Sequence, residues 1–182
     1  VVTAKLLDGE KLIDQYHQRF GMRELEIKKD KIILNGHPIL LKGISSHVSW
    51  DGPEPVTREW AKDYLNQYRR VGVQYMRCAP MYPEFLDAAD ELGFLVEPHN
   101  PYGQSGKPVF EAMTQLRNHP SLFSHELSNE KVYGSKKLTD LYYIWKEKFS
   151  GLFINDSDGS MGPARPTADS WWIVEPDEIL ST

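Results

Sequence analysis

The sequence has one cysteine, Cys78, in 182 residues, so no disulfide can form within it and compartment is not readable from cysteine usage. It has no apolar run near the roughly 20 residues that a membrane-spanning helix needs. No segment carries a stripe of lysine and arginine, and the formal net charge is −5. Nucleic acids and anionic membrane surfaces both call for concentrated positive charge, so neither is expected as a partner. The chain opens Val1-Val2-Thr3-Ala4-Lys5, with no initiator methionine and no basic start leading into an apolar stretch. No signal peptide is therefore visible, and the chain reads as starting partway through a longer protein. The compartment of that parent stays open, periplasmic and secreted locations included.

What is present suffices for a folded domain. Hydrophobic residues make up 40 %, against the low value of disordered chains. The length allows one domain with a core. Residues 1 to 34 are polar and strand-like, with Asp8-Gly9 at a hairpin turn. Leu25 and Ile27, then Ile32 to Leu34, suggest two short strands, and Asn35-Gly36 marks another turn.

From residue 39 the rhythm changes. Ile39-Leu40-Leu41-Lys42-Gly43-Ile44 reads as a buried strand. Trp60, Tyr64, Leu65, Tyr68 and Val71 recur at helical spacing, with Thr57 as candidate N-cap and Gly72 as stop. Strands are expected at 73–78, 94–96, 121–127 and from 152, and helices at 83–92, 108–117 and 136–149. Trp60 and Trp145 fall on apolar helix faces and are expected in the core. Five strands alternating with helices imply parallel βα units. A doubly wound sheet and a barrel share that rhythm, and spacing alone does not separate them.

The polar residues have a pattern of their own. His47, Arg77, Glu97, Asn129, Glu130, Asp156 and Asp158 all fall just after expected strand ends. In βα barrels that rim carries the chemistry, because its loops converge over one mouth. Trp50, Trp171 and Trp172 are candidates to stack on a ligand. Asn155-Asp156-Ser157-Asp158-Gly159 looks like part of a calcium loop, but Ile154 and Arg165 occupy ligand positions, so an Asx-rich turn is expected.

Several blocks together resemble a known family. They are Arg19-Phe20-Gly21-Met22-Arg23, Leu34-Asn35-Gly36-His37-Pro38 through Gly43 and His47, and Arg77 with Tyr82-Pro83. Asp90-Glu91-Leu92-Gly93, Arg117-Asn118-His119-Pro120-Ser121 and Leu127-Ser128-Asn129-Glu130 complete them. Their order and spacing resemble the barrel of glycoside hydrolase family two, which includes β-galactosidases, β-glucuronidases and β-mannosidases. The resemblance covers roughly residues 14 to 130.

It implies an α/β fold: about the first five βα units of an incomplete (β/α)8 TIM barrel over 31–182. Residues 1–30 would be the last strands and linker of an immunoglobulin-like β-sandwich. It implies hydrolysis of O-glycosidic bonds with retention, through two carboxyl groups about 5 Å apart. Glu130 matches the general acid/base, and the nucleophile, on barrel strand seven, is expected beyond Thr182. Asn129 resembles the asparagine that bonds the sugar 2-hydroxyl, Arg77 the strand-two arginine beside the nucleophile, and His47 a pocket histidine. Trp50, Asp156 and Asp158 are further substrate-binding candidates. The implied partner is a carbohydrate, with no organic cofactor. The isolated chain is expected to lack activity.

The sequence also departs from the family. No histidine follows Arg77 in Cys78-Ala79-Pro80-Met81-Tyr82, and Pro98-His99 replaces the usual Asp-Glu, with Glu97 displaced. That glutamate binds magnesium in the galactosidase branch, so no metal site is expected here. His125 stands where tryptophan is common and Ser128 where glycine is common. The alternative implied by these departures is a degenerate, non-catalytic carbohydrate-binding protein.

Overall fold

A computed structural model describes residues 1–29, 31–46, 53–79, 81–98, 107–127 and 135–155. The chain starts with a hairpin, β1 (Val2–Asp8) against β2 (Lys11–Gln18), turning at Gly9-Glu10, one residue beyond the expected Asp8-Gly9, with Gly9 at φ 60°. Both strands are exposed nearly throughout. Next, β3 (Leu25–Lys28), β4 (Lys31–Leu34) and β5 (His37–Ile39) form an antiparallel sheet. Asn35 and Gly36 both take positive φ, 51° and 78°, the pair of left-handed residues that a tight two-residue hairpin needs. The expected domain boundary at residue 30 falls between β3 and β4, outside the described residues.

The apolar run from Ile39 to Ile44 is not one strand, as expected, but two. Ile39 ends the antiparallel sheet and Leu40 is 75 % exposed. Gly43–Ser45 then starts the parallel sheet as β6. Composition marks apolar stretches but not the change of partner within one.

The βα rhythm follows as expected. Helix α1 (Arg58–Arg70) opens on Thr57, whose hydroxyl accepts from the Trp60 amide at 3.2 Å. Helix α2 (Pro83–Leu92) has proline at its first position and closes on Gly93 in the left-handed region. Helices α3 (Lys107–Leu116) and α4 (Ser135–Lys148) lie within a residue of their expected bounds. Between them run β7 (Tyr75–Ala79), β8 (Leu95–Pro98), β9 (Ser124–Glu126) and β10 (Phe153–Asn155).

Strands β6, β7 and β8 pair in parallel, as do β9 and β10, and a parallel bridge from Val96 to Leu122 joins the two groups. The strands therefore neighbour one another in chain order. A doubly wound sheet reverses its order at a switch point, and these strands do not. No closed barrel is formed among the described residues.

Alternation sorts the side chains onto two faces. On the outer face Met76, Val96, Leu122 and Ile154 meet Leu65 of α1, Phe85 and Leu86 of α2, Met113 of α3 and Trp145 of α4. Trp145 is buried, as expected, and Trp60 packs on the same core half-buried. On the inner face Tyr75, Leu95, Phe123 and Phe153, near the strand starts, form a separate apolar layer with Leu25, Ile32, Ile39 and Leu41. The antiparallel sheet thus covers the inner face at that end. Gly43 leaves room for this layer, since a Cβ there would lie 2.5 Å from the Tyr75 ring.

Three of the blocks that carry the resemblance converge where the helices lead into the strands. Half-buried Arg23 donates to the carbonyls of Pro120 and, at 3.0 Å, Gly151. Burial pushes its guanidinium down to about 10, partly offset by Asp90. The Gly21 amide donates to the Asn118 carbonyl, and Asp90 holds both His119 Nδ1 (2.7 Å) and the Ser121 amide (2.9 Å). These are clamps between the linker, α2 and the turn before β9. Asp87, Asp90 and His119 present metal-capable atoms within 4.8 Å of one another. Asp90 is committed to the clamp and Asp87 to Arg19 at 3.0 Å, so the cluster is accounted for as structure.

Candidate functional site

One step beyond the apolar inner layer, the same alternation places a polar layer. Gly43, Tyr75, Leu95 and Phe153 are followed two residues later by Ser45, Arg77, Glu97 and Asn155. Ser45 pairs with Arg77, Arg77 with Glu97, and Glu126 with Asn155 across the strands. A β-bulge at Cys78 follows Arg77 in β7, a device that re-aims side chains. Arg77 and Glu97 thus lie inside strands, not after their ends as expected.

The layer is a connected network. Arg77 Nη2 donates to Glu126 Oε2 at 3.0 Å, its Nη1 reaches Ser45 Oγ at 3.4 Å, and its Nε lies 3.6 Å from Glu97 Oε1. Glu97 Oε2 accepts from the Ser124 hydroxyl and from Asn155 Nδ2 at 3.3 Å. The Tyr75 hydroxyl lies 3.4 Å from Ser124 Oγ. Burial, and next the Glu97 carboxylate, push the Tyr75 phenol well above its ordinary value, so it stays protonated. Glu97 and Glu126 are 1 % and 2 % exposed. Two carboxylates in that setting need the guanidinium, because an unpaired buried charge costs several kcal/mol, on the order of 3–5.

Of the residues singled out at expected strand ends, Arg77 and Glu97 fall within the described residues. His47, Trp50, Asn129, Glu130, Asp156 and Asp158 lie outside them. Sequence analysis missed Glu126, Ser124 and Asn155 as site members. The signal was available at Ser124-His125-Glu126-Leu127-Ser128-Asn129-Glu130, where polar residues recur at every second position. Asn155, expected in an Asx-rich turn, instead ends β10 and is buried against Glu97.

His125 belongs to the other face. It is fully buried and stacks on Trp145 with ring centroids 4.2 Å apart and planes 10° from parallel. Burial lowers its imidazole from 6.5 to about 3, so it is neutral in the folded protein. The unfolded chain takes up that proton first. His125 therefore contributes stability above pH 6.5 that is lost as pH falls toward 3. His125→Phe, which keeps a flat ring on Trp145, should remove a slope on the order of 1 kcal/mol per pH unit across that window. Urea midpoints from pH 7 to pH 4 check this; parallel curves for wild type and variant would refute it.

The fold and the charged inner layer can now be set beside known proteins. No family model matches the chain. It is 32 % identical over 151 residues to a protein of Formosa agariphila named as a candidate beta-glucuronidase, covering 69 % of this chain and 14 % of that protein. It is 31 % identical over 140 residues to a beta-galactosidase of Thermoanaerobacter pseudethanolicus, covering 67 % and 18 %. A crystal structure described as a candidate beta-galactosidase from Bacteroides fragilis superposes with a TM-score of 0.71 at 24 % identity, over 91 % of this chain and 28 % of that one. The chain thus spans less than a third of the relatives it matches.

These likenesses, with the parallel βα architecture, place the chain in the class of α/β glycosidase domains. Within that class it is a partial domain of the family two glycosidase kind, related to β-galactosidases and β-glucuronidases.

Proposed function

We propose that the full-length protein carrying this chain hydrolyses O-glycosidic bonds with retention, and that Glu130 is its general acid/base. Residues 31–182 would supply about five βα units of a (β/α)8 barrel, and residues 1–30 the end of a preceding β-sandwich. The exposed apolar side chains of the first hairpin, among them Leu6, Ile13 and Tyr16, support a covering domain. The observation that carries the proposal is the inner layer of Arg77, Glu97 and Glu126, the last of them on the strand that precedes Asn129 and four residues before Glu130.

In such a mechanism Glu130 protonates the leaving oxygen while a second carboxylate, outside these 182 residues, attacks the anomeric carbon. Glu130 then deprotonates the water that releases the sugar. Asn129 bonds the 2-hydroxyl, and His47, Trp50, Asp156 and Asp158 line the sugar. Arg77 supplies fixed positive charge in a layer otherwise carrying buried carboxylates.

The test is turnover of aryl glycosides by the full-length protein, with the anomer of the first product read by proton NMR. Retention is expected, together with no turnover by residues 1–182 alone. An inverted product would refute the retaining mechanism, and turnover by the isolated chain would refute placing the nucleophile outside it. Sugar binding without turnover in the full-length protein would instead identify a degenerate binding protein.

A further inference from the structure

Glu126 is the charged member of the inner layer to which the resemblance gives no role. It is 2 % exposed, on the strand that leads to Glu130, and paired to Arg77 Nη2 at 3.0 Å. Burying a carboxylate there is costly, and the Arg77 guanidinium offsets part of that cost. That guanidinium is oriented from three sides. Glu126 takes Nη2, Ser45 on β6 lies at Nη1, and Glu97 on β8 faces Nε. Glu97 is itself held by Ser124 and Asn155. Of the three contacts, the one from Glu126 is the shortest and combines charge with a hydrogen bond.

We propose that Glu126 is a positioning residue, which fixes the Arg77 guanidinium on the inner face before substrate arrives and acts on the reaction through Arg77. This rests on the glycosidase function proposed above. Arginine is suited to the task, because its rigid planar fork presents separate N–H donors to several neighbours while lysine offers a single point charge. An arginine left to wander would have to be re-ordered in each turnover, and positioning errors of about 1 Å can cost up to about a hundredfold in rate.

The experiment is a double-mutant cycle in the full-length protein. Glu126→Ala should lower kcat by about tenfold or more, with KM changed by less than about threefold. Glu126→Gln, which still accepts from Nη2, should restore part of that loss. In an Arg77→Lys background, Glu126→Ala should cost less than about threefold. A residue that only supports the fold would lower the melting temperature and leave kcat of the folded protein unchanged. Equal losses in both backgrounds, or kcat within about twofold of wild type, would overturn the proposal. If Glu126→Ala does not fold, Glu126→Gln carries the same comparison. Glu130→Gln is the control for the underlying function. Should it leave rates unchanged, the glycosidase proposal falls by itself, and the coupling is read in urea denaturation, where additive effects would overturn the positioning role.

Discussion

Glu130→Gln in the full-length protein should slow hydrolysis of glycosides with poor leaving groups by about 10²- to 10⁴-fold, the usual contribution of a positioned acid/base. An alkoxide leaving group cannot depart without a proton, and glutamine has none to give. Activated aryl glycosides leave as stable phenolates, so their first step should lose far less. Their second step still needs a base for water, and the sugar should accumulate on the enzyme. Azide needs no deprotonation, so adding it should restore turnover and yield a glycosyl azide of retained configuration. The substitution keeps shape and removes only the proton, which makes the leaving-group dependence specific. A uniform loss across leaving groups would point to damage of the fold, and unchanged rates would sink the assignment.

Arg77→Ala should destabilise the protein by about 3–5 kcal/mol, among the largest effects expected of a single change. The guanidinium side chain is 18 % exposed, while the carboxylates it faces are 1 % and 2 % exposed. Removing it takes a cationic partner away from the buried Glu97 and Glu126 carboxylates. Ser124 and Asn155 still donate to Glu97, but neutral donors replace only part of a charge-assisted bond. The sign of the pH dependence follows. Protonating a carboxylate removes the uncompensated charge, so the deficit of the variant relative to wild type should shrink as pH falls. Urea midpoints at pH 8 and pH 5 decide it. A deficit that is independent of pH would mean that lost packing, not stranded charge, dominates.

Much of the fold was legible because it rests on local rules. Thr57 caps α1, Pro83 starts α2, Gly93 stops it, and Asn35-Gly36 turns the hairpin, each within a few residues of chain. Helical spacing likewise marked Trp145 for the core. The run from Ile39 to Ile44 was misread for a related reason: one apolar stretch serves two sheets, and hydrophobicity does not state which partner a strand takes.

By itself, then, the sequence determined the βα order, the caps and turns, and the blocks that resemble family two glycosidases. Tertiary structure decided which polar residues share a layer. Arg77 meets Ser45 and Glu126 across 32 and 49 residues of chain, and Glu97 meets Asn155 across 58. Those contacts follow from strand register and from the bulge after Arg77, which are set by packing of distant segments. A one-residue slip would turn each of these side chains to the opposite face. Glu126 shows the consequence: in sequence it is one charge in a mixed strand, and in the fold its carboxylate lies 3.0 Å from Arg77 Nη2.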